Sequence, residues 1–208
     1  MKITALIFAF LLITISACKN TGKGNEETGG QIVPELLPAD ESDPSGAKQF
    51  REALLAHCGN AYEGRVVAAP DDSDFRGKRL VMHVRSCEGD VINIPFNVGD
   101  DRSRTWVLTF LDNRILLKHD HRHADGTSDE VTMYGGMTSN SGQPGIQVFP
   151  ADEETRILIP EASSNVWWIT IDDSTFTYNL RRLSTERVFT IAFDLKNPVE
   201  IPEPSWGW

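Results

Sequence analysis

The chain has 208 residues, of which 40% are hydrophobic, and its 30 acidic against 20 basic side chains give a net charge of -10. That balance argues against nucleic acid as a partner, because affinity there comes mainly from Lys and Arg neutralising phosphate. It argues equally against an electrostatic grip on anionic lipid.

At the amino terminus Lys2 precedes an uncharged run of apolar and small residues, Ile3 to Ala17. One positive charge, an apolar stretch and a small-residue end form the pattern of a secretory signal, and the run falls short of the about 20 residues that a spanning helix needs. Ile15-Ser16-Ala17-Cys18 resembles the lipobox of bacterial lipoproteins: an aliphatic residue, two small residues and a cysteine. The resemblance implies a signal peptide over 1–17, cleavage before Cys18, diacylglycerol on its thiol and a further acyl chain, such as palmitate, on the new amino terminus. Multiple chains anchor a protein stably, so the expected partner is a membrane, held through the lipid, and the expected location is the bacterial cell envelope.

From Lys19 to Gly46 the chain is rich in Gly, Glu, Asp, Pro, Thr and Asn, with Ile32-Val33 and Leu36-Leu37 as apolar pairs. Such a segment buries too little surface to offset its ordering entropy, and residues 18–46 are expected to be a flexible acidic tether. Residues 47–196 are long enough for one folded domain with a single core, followed by a Pro/Trp tail over 197–208.

The chain has three cysteines. With Cys18 assigned to lipid, Cys58 and Cys87 remain in a compartment that permits oxidation. A disulfide between them is expected, the alternative being two buried free thiols. It would close a loop worth about 3–4 kcal/mol in the chain-entropy model.

A helix is expected at the start of the domain. Asp43-Pro44 reads as cap and first-turn proline, Phe50, Ala53, Leu54 and His57 share a face, and Gly59 ends it. The hydrophobic period then changes from that of a helix to that of a strand. Leu80, Met82 and Val84 alternate with polar residues, as do Ile92 to Val98, Trp106 to Phe110, Phe176 to Leu180 and Phe189 to Phe193. Turn signals separate these runs at Glu88-Gly89-Asp90, Gly99-Asp100-Asp101, Asp112-Asn113, Ala124-Asp125-Gly126, Asp172-Asp173-Ser174 and Ser184-Thr185-Glu186. Asp152 to Ile159 interrupts the pattern as a short helix or turn. Roughly nine or ten strands exceed what one flat sheet holds comfortably. The expected fold is all-β: an antiparallel meander closed as an up-and-down barrel resembling the lipocalin superfamily, with a two-sheet β-sandwich as the alternative and one short N-terminal helix.

The most informative stretch is Ile115-Leu116-Leu117-Lys118-His119-Asp120-His121-Arg122-His123. On a strand alternate residues share a face, which aligns Ile115 and Leu117 with His119, His121 and His123. After a turn at Asp125-Gly126, Asp129 to Tyr134 is expected to return beside this strand. Three readings stay open. Neighbouring imidazoles, with Asp129, Glu130 or His83 as a further ligand, could hold a divalent metal and activate water. The histidines could instead orient a polar ligand at the mouth of an apolar pocket, or form a solvated hairpin end.

Other features are weaker. Arg102 and Arg104 are candidates for contact with an anionic ligand, against a solvated strand start that balances Asp100 and Asp101. Gly135-Gly136 and Thr138 to Gly145 read as a loop, and Trp167-Trp168 place one indole on each face of a strand. Trp206 and Trp208 in the tail either dock back on the barrel or reach an envelope protein partner. No Gly-x-Ser-x-Gly elbow, phosphate loop or Cys-x-x-Cys occurs.

The blocks Asp101-Arg102-Ser103-Arg104-Thr105-Trp106-Val107, Lys118 to His123 and Val131-Thr132-Met133-Tyr134-Gly135-Gly136, with Phe193-Asp194-Leu195, resemble a group of uncharacterised bacterial secreted proteins. The resemblance implies export and carries no catalytic residue onto the chain. The functional expectation is therefore a lipid-anchored envelope protein that binds a small or apolar ligand. A metal-dependent hydrolase or metal-binding protein and a structural or assembly lipoprotein are the alternatives.

Overall fold

The computed structural model describes residues 45–70 and 73–208. The export segment 1–17, Cys18, the tether as far as Pro44 and the Asp43-Pro44 cap lie outside the described residues. Among the described residues no helix is long and apolar enough to cross a membrane.

Helix α1 spans Gly46–Leu55, and ten strands follow: β1 (Ala61–Ala68), β2 (Leu80–His83), β3 (Val91–Val98), β4 (Asp101–Leu111), β5 (Arg114–His121), β6 (Tyr134–Met137), β7 (Ile146–Pro150), β8 (Asn165–Ile171), β9 (Thr175–Arg182) and β10 (Val188–Val199). Between β7 and β8 lie α2 (Glu153–Leu158) and a 3₁₀ turn at Pro160–Ala162. All ten strands form one antiparallel sheet in the order β6-β5-β4-β3-β2-β1-β10-β9-β8-β7. Every strand pairs with its sequence neighbour except at β6 and β7, and β10 pairs with β1. The result is an up-and-down meander curled into a nearly closed barrel, and its single continuous hydrogen-bonded order sets aside the two-sheet sandwich.

The seam between β6 and β7 is closed by other means. Thr155, at the start of α2, donates its hydroxyl to the Gly135 carbonyl at 2.8 Å and accepts the Gly135 N–H at 2.7 Å. Asp152 N–H donates to the same carbonyl at 2.9 Å. Outside this contact, Lys118 bonds Asp152 at 2.8 Å and Glu154 at 2.6 Å. Gly135 and Gly136, expected in a loop, belong to β6 because the seam needs bare backbone there. A Cβ on Gly136 would collide with the Pro150 carbonyl, and one on Gly135 with that of Leu117.

One end of the barrel is plugged by α1, whose Ala47, Phe50 and Leu54 are buried. The helix begins one residue before the expected domain boundary, and its cap is Ser45, which accepts the Lys48 N–H at 3.3 Å. Serine is as good a cap as aspartate, and glycine at the next position lets the helix meet the Gly142 carbonyl where a Cβ would collide. After Leu55 a turn leads to Gly59, whose φ of 84° suits glycine. The Cys58–Cys87 disulfide joins this turn to the β2–β3 connection, and the Gly59 N–H donates to the Val84 carbonyl at 2.7 Å.

The inward face fills in rungs. Nearest the plug, Phe110 faces Ile115 across β4 and β5, and in the rung above them Ile92, Leu108 and Leu117 stand side by side across β3, β4 and β5, all three fully buried. One rung nearer the open end come Ile94, Trp106, His119 and Tyr134, and the last rung is Phe96, Arg104 and His121. Apolar packing thus gives way to polar side chains along the barrel axis. The segment Asp129 to Met133 returns beside β5 as expected, held there by the Asp129 N–H donating to the His121 carbonyl at 2.9 Å and the Met133 N–H donating to the His119 carbonyl at 2.6 Å, although regular strand begins only at Tyr134. Between those two bonds the Asp129 carboxylate accepts the Val131 N–H at 3.0 Å in an Asx turn, and Met133 takes a φ of 57° before β6 begins at Tyr134. Trp167 is buried inward and Trp168 half-exposed outward, as alternation requires.

Candidate functional site

At the end opposite α1 the barrel opens into a cavity of about 320 Å³. Its floor is aromatic. The Trp106 indole stacks between Phe96, with ring centres 4.9 Å apart, and Tyr178, at 4.4 Å. Trp167 faces them from β8, tilted against His119 at 5.1 Å. Phe75, from the β1–β2 connection, roofs one side and packs 4.7 Å from Phe189.

His119 lies in this floor with both ring nitrogens engaged. Nδ1 is 3.0 Å from the Tyr134 carbonyl, and Nε2 is 2.7 Å from the Tyr178 hydroxyl. A carbonyl only accepts, so the proton sits on Nδ1, and Nε2 accepts the tyrosine O–H. Tyr134 also stacks its ring on the imidazole at 4.7 Å. Complete burial drives the His119 pKa down to about 3. Burial likewise raises Tyr134 to about 12 and Tyr178 well above the usual phenol range. His119 and Tyr178 therefore form an uncharged, mutually satisfied pair at neutral pH, with His119 Nδ1 bonded to the Tyr134 backbone carbonyl and the Tyr134 ring stacked beside it. Such a weakly basic imidazole is a poor proton acceptor.

His121 sits one rung outward, its Nε2 3.1 Å from the Tyr134 hydroxyl, and burial, reinforced by nearby Arg104, lowers its pKa. Arg104 bonds Asp101 at 2.5 Å and lays its guanidinium over Phe75 at 5.4 Å. Burial would raise the Asp101 carboxyl, but hydrogen bonds from Ser103 and Arg104 hold it below its ordinary value. Across the opening, Arg182 donates Nε to the Asn165 side-chain oxygen at 2.9 Å, and Arg187 completes the rim.

The other sequence candidates lie elsewhere. His123 is exposed, and its backbone closes the following turn by accepting from Gly126 at 2.9 Å. Glu130 is exposed, and Asp129 is occupied by its Asx turn. Among the described residues no three His, Cys, Asp or Glu side chains converge as metal ligands, so the metal arrangement expected from the His119, His121 and His123 spacing does not assemble. The strand's alternation is interrupted past His121, where the chain turns. Arg102 reaches the tail instead of the cavity: its side chain donates to the Pro204 carbonyl at 3.2 Å, and its own carbonyl accepts from Trp206 at 3.1 Å. The tail lies back along the outer wall. Trp208 packs over the Arg122 guanidinium at 5.3 Å, and Arg122 is held by buried Asp120 at 2.8 Å.

Sequence reasoning did not single out Tyr178, Asn165, Arg182 or Arg187 as site residues. Alternation marked Tyr178 as inward-facing, yet nothing local distinguishes a strand position in the filled half from one in the open half. A scan against protein-family models finds no match, and a search of curated proteins also finds none.

Proposed function

We propose that the chain is a binding protein of the bacterial cell envelope, exported, lipid-anchored at Cys18, and built to hold a small, largely apolar ligand in the barrel mouth. The observation that carries the binding reading is the aromatic cavity of about 320 Å³ around His119. Small-molecule sites are concave, mainly apolar, and carry a few placed polar groups, typically in roughly 300–1,000 Å³. Here the neutral His119–Tyr178 pair offers polarity without charge, so an apolar body can enter without stripping water from an ion. The envelope part is supported by the apolar run before Cys18 and by the Cys58–Cys87 disulfide, a bond that suits an oxidising compartment.

The test has two arms. Native protein is extracted with organic solvent and the extract analysed by mass spectrometry, with a Trp106→Ala, Trp167→Ala double variant as the control. A small molecule that accompanies the wild type and is depleted in the variant is the expected outcome; equal or empty extracts refute binding. Labelling of cells with an alkyne fatty acid should mark the wild type and leave Cys18→Ser unlabelled. Labelling that survives that substitution would overturn the anchor.

A further inference from the structure

The rim of the cavity is cationic, although the chain as a whole is acidic. Arg104, Arg182 and Arg187 line it, with Asp74 as the carboxylate among the described lining residues. Asp71 and Asp72, near Asp74 in sequence, lie outside the described residues. Arg104 is already engaged by Asp101 and Phe75. Arg182 and Arg187 are different. Arg182 spends its Nε on a neutral amide, and neither residue has a carboxylate within ion-pair distance among the described residues.

These two arginines also sit together. They face each other at the β9–β10 hairpin, where the Arg182 N–H donates to the Arg187 carbonyl at 3.1 Å. Like charges placed opposite one another across a strand pair repel. A guanidinium pair beside an aromatic cavity is therefore a ready receptor for an anion, which guanidinium binds through paired N–H donors.

Resting on the binding reading, we propose that the ligand is an anionic amphiphile: a carboxylate, sulfonate or phosphate on one ring system or one acyl chain. Its apolar body lies against Trp106 and Trp167, and its anion meets Arg182 and Arg187. A volume of about 320 Å³ stands at the small end for ligand sites, which favours a single ring system or chain over a two-chain lipid. A rim exposed to solvent also makes the anion's contribution salt-dependent.

The experiment uses the full chain in nanodiscs of neutral lipid, with empty nanodiscs as reference, and isothermal titration calorimetry. The probes are 2-naphthoate against 2-naphthamide and decanoate against decanamide, pairs that differ in charge while keeping the apolar body. The expected result is at least a tenfold preference for one anion over its amide. That preference should vanish in the Arg182→Gln, Arg187→Gln double variant, while amide affinity, the control for folding and for the cavity, stays within threefold. The pair that shows the preference identifies the body as a ring system or an acyl chain. Equal binding of acid and amide, or a preference that survives the double variant, overturns the anionic proposal and leaves the binding reading intact. Failure of all four probes to bind overturns the proposal and tells against the binding reading as well.

Discussion

The Tyr178 hydroxyl lies 2.7 Å from His119 Nε2, joining β9 to β5 across the interior of the barrel. The two residues are 59 positions apart in sequence, and each is the other's reason for being polar in an otherwise aromatic floor. A buried acceptor left without its donor costs about 1–3 kcal/mol. Tyr178→Phe should therefore lower stability by that amount in urea denaturation, with little change in the denaturant slope. An unchanged midpoint would mean that the hydroxyl and imidazole are not paired.

Acid should weaken the fold, and His119 sets the sign. Its pKa is near 6.5 in the unfolded chain and about 3 in the folded one. Between those values the unfolded state holds more protons, so stability rises with pH through the window, is fully present above it and is lost as pH falls. One such residue contributes a slope of about 1.4 kcal/mol per pH unit. His57, His83 and His121, lowered chiefly by burial, act in the same direction. Between about pH 7.5 and pH 4.5, His119→Gln should shrink the loss of stability by about 2–3 kcal/mol. A pH profile identical to the wild type would show that His119 titrates normally in the folded protein.

The seam should be the most easily broken part of the sheet, because β6 and β7 are joined by Thr155, Lys118 and bare glycine backbone instead of a ladder. Thr155→Val leaves the Gly135 N–H without its hydroxyl partner in a buried site and should cost about 1–3 kcal/mol. Gly136→Ala should cost at least as much, since its methyl group meets the Pro150 carbonyl. Hydrogen exchange in both variants should speed up first at Tyr134–Met137 and Ile146–Pro150. Uniform acceleration over all ten strands would show that the seam opens only with the whole barrel.

Much of the scaffold was legible in the chain. Alternation at Leu80–Val84, Ile92–Val98 and Trp106–Phe110 marked strands with one buried face, and short turns at Gly99-Asp100-Asp101 and Asp112-Asn113 left each strand no partner but its neighbour. The Cys58–Cys87 bond was legible too, given a compartment for it. Ser45 was not singled out as the helix cap because several good capping residues stand close together in this stretch, and which of them closes the first turn is not a local property. The return of Asp129 to Tyr134 beside β5 was legible as well, but nothing in one dimension shows that an Asx turn at Asp129 delays regular strand until Tyr134.

The site divides in the same way. Sequence by itself determined that His119 shares a face with Ile115 and Leu117, since side-chain period on a strand is a local property. Its neighbours were decided by tertiary structure. That Tyr178 takes its Nε2, that His123 leaves the row, that Arg102 serves the tail, and that Arg182 and Arg187 stand over the opening all depend on which end α1 plugs and on how far the sheet curls before β6 meets β7. Those are outcomes of packing across the whole barrel, set by contacts between residues tens of positions apart, and no local pattern encodes them.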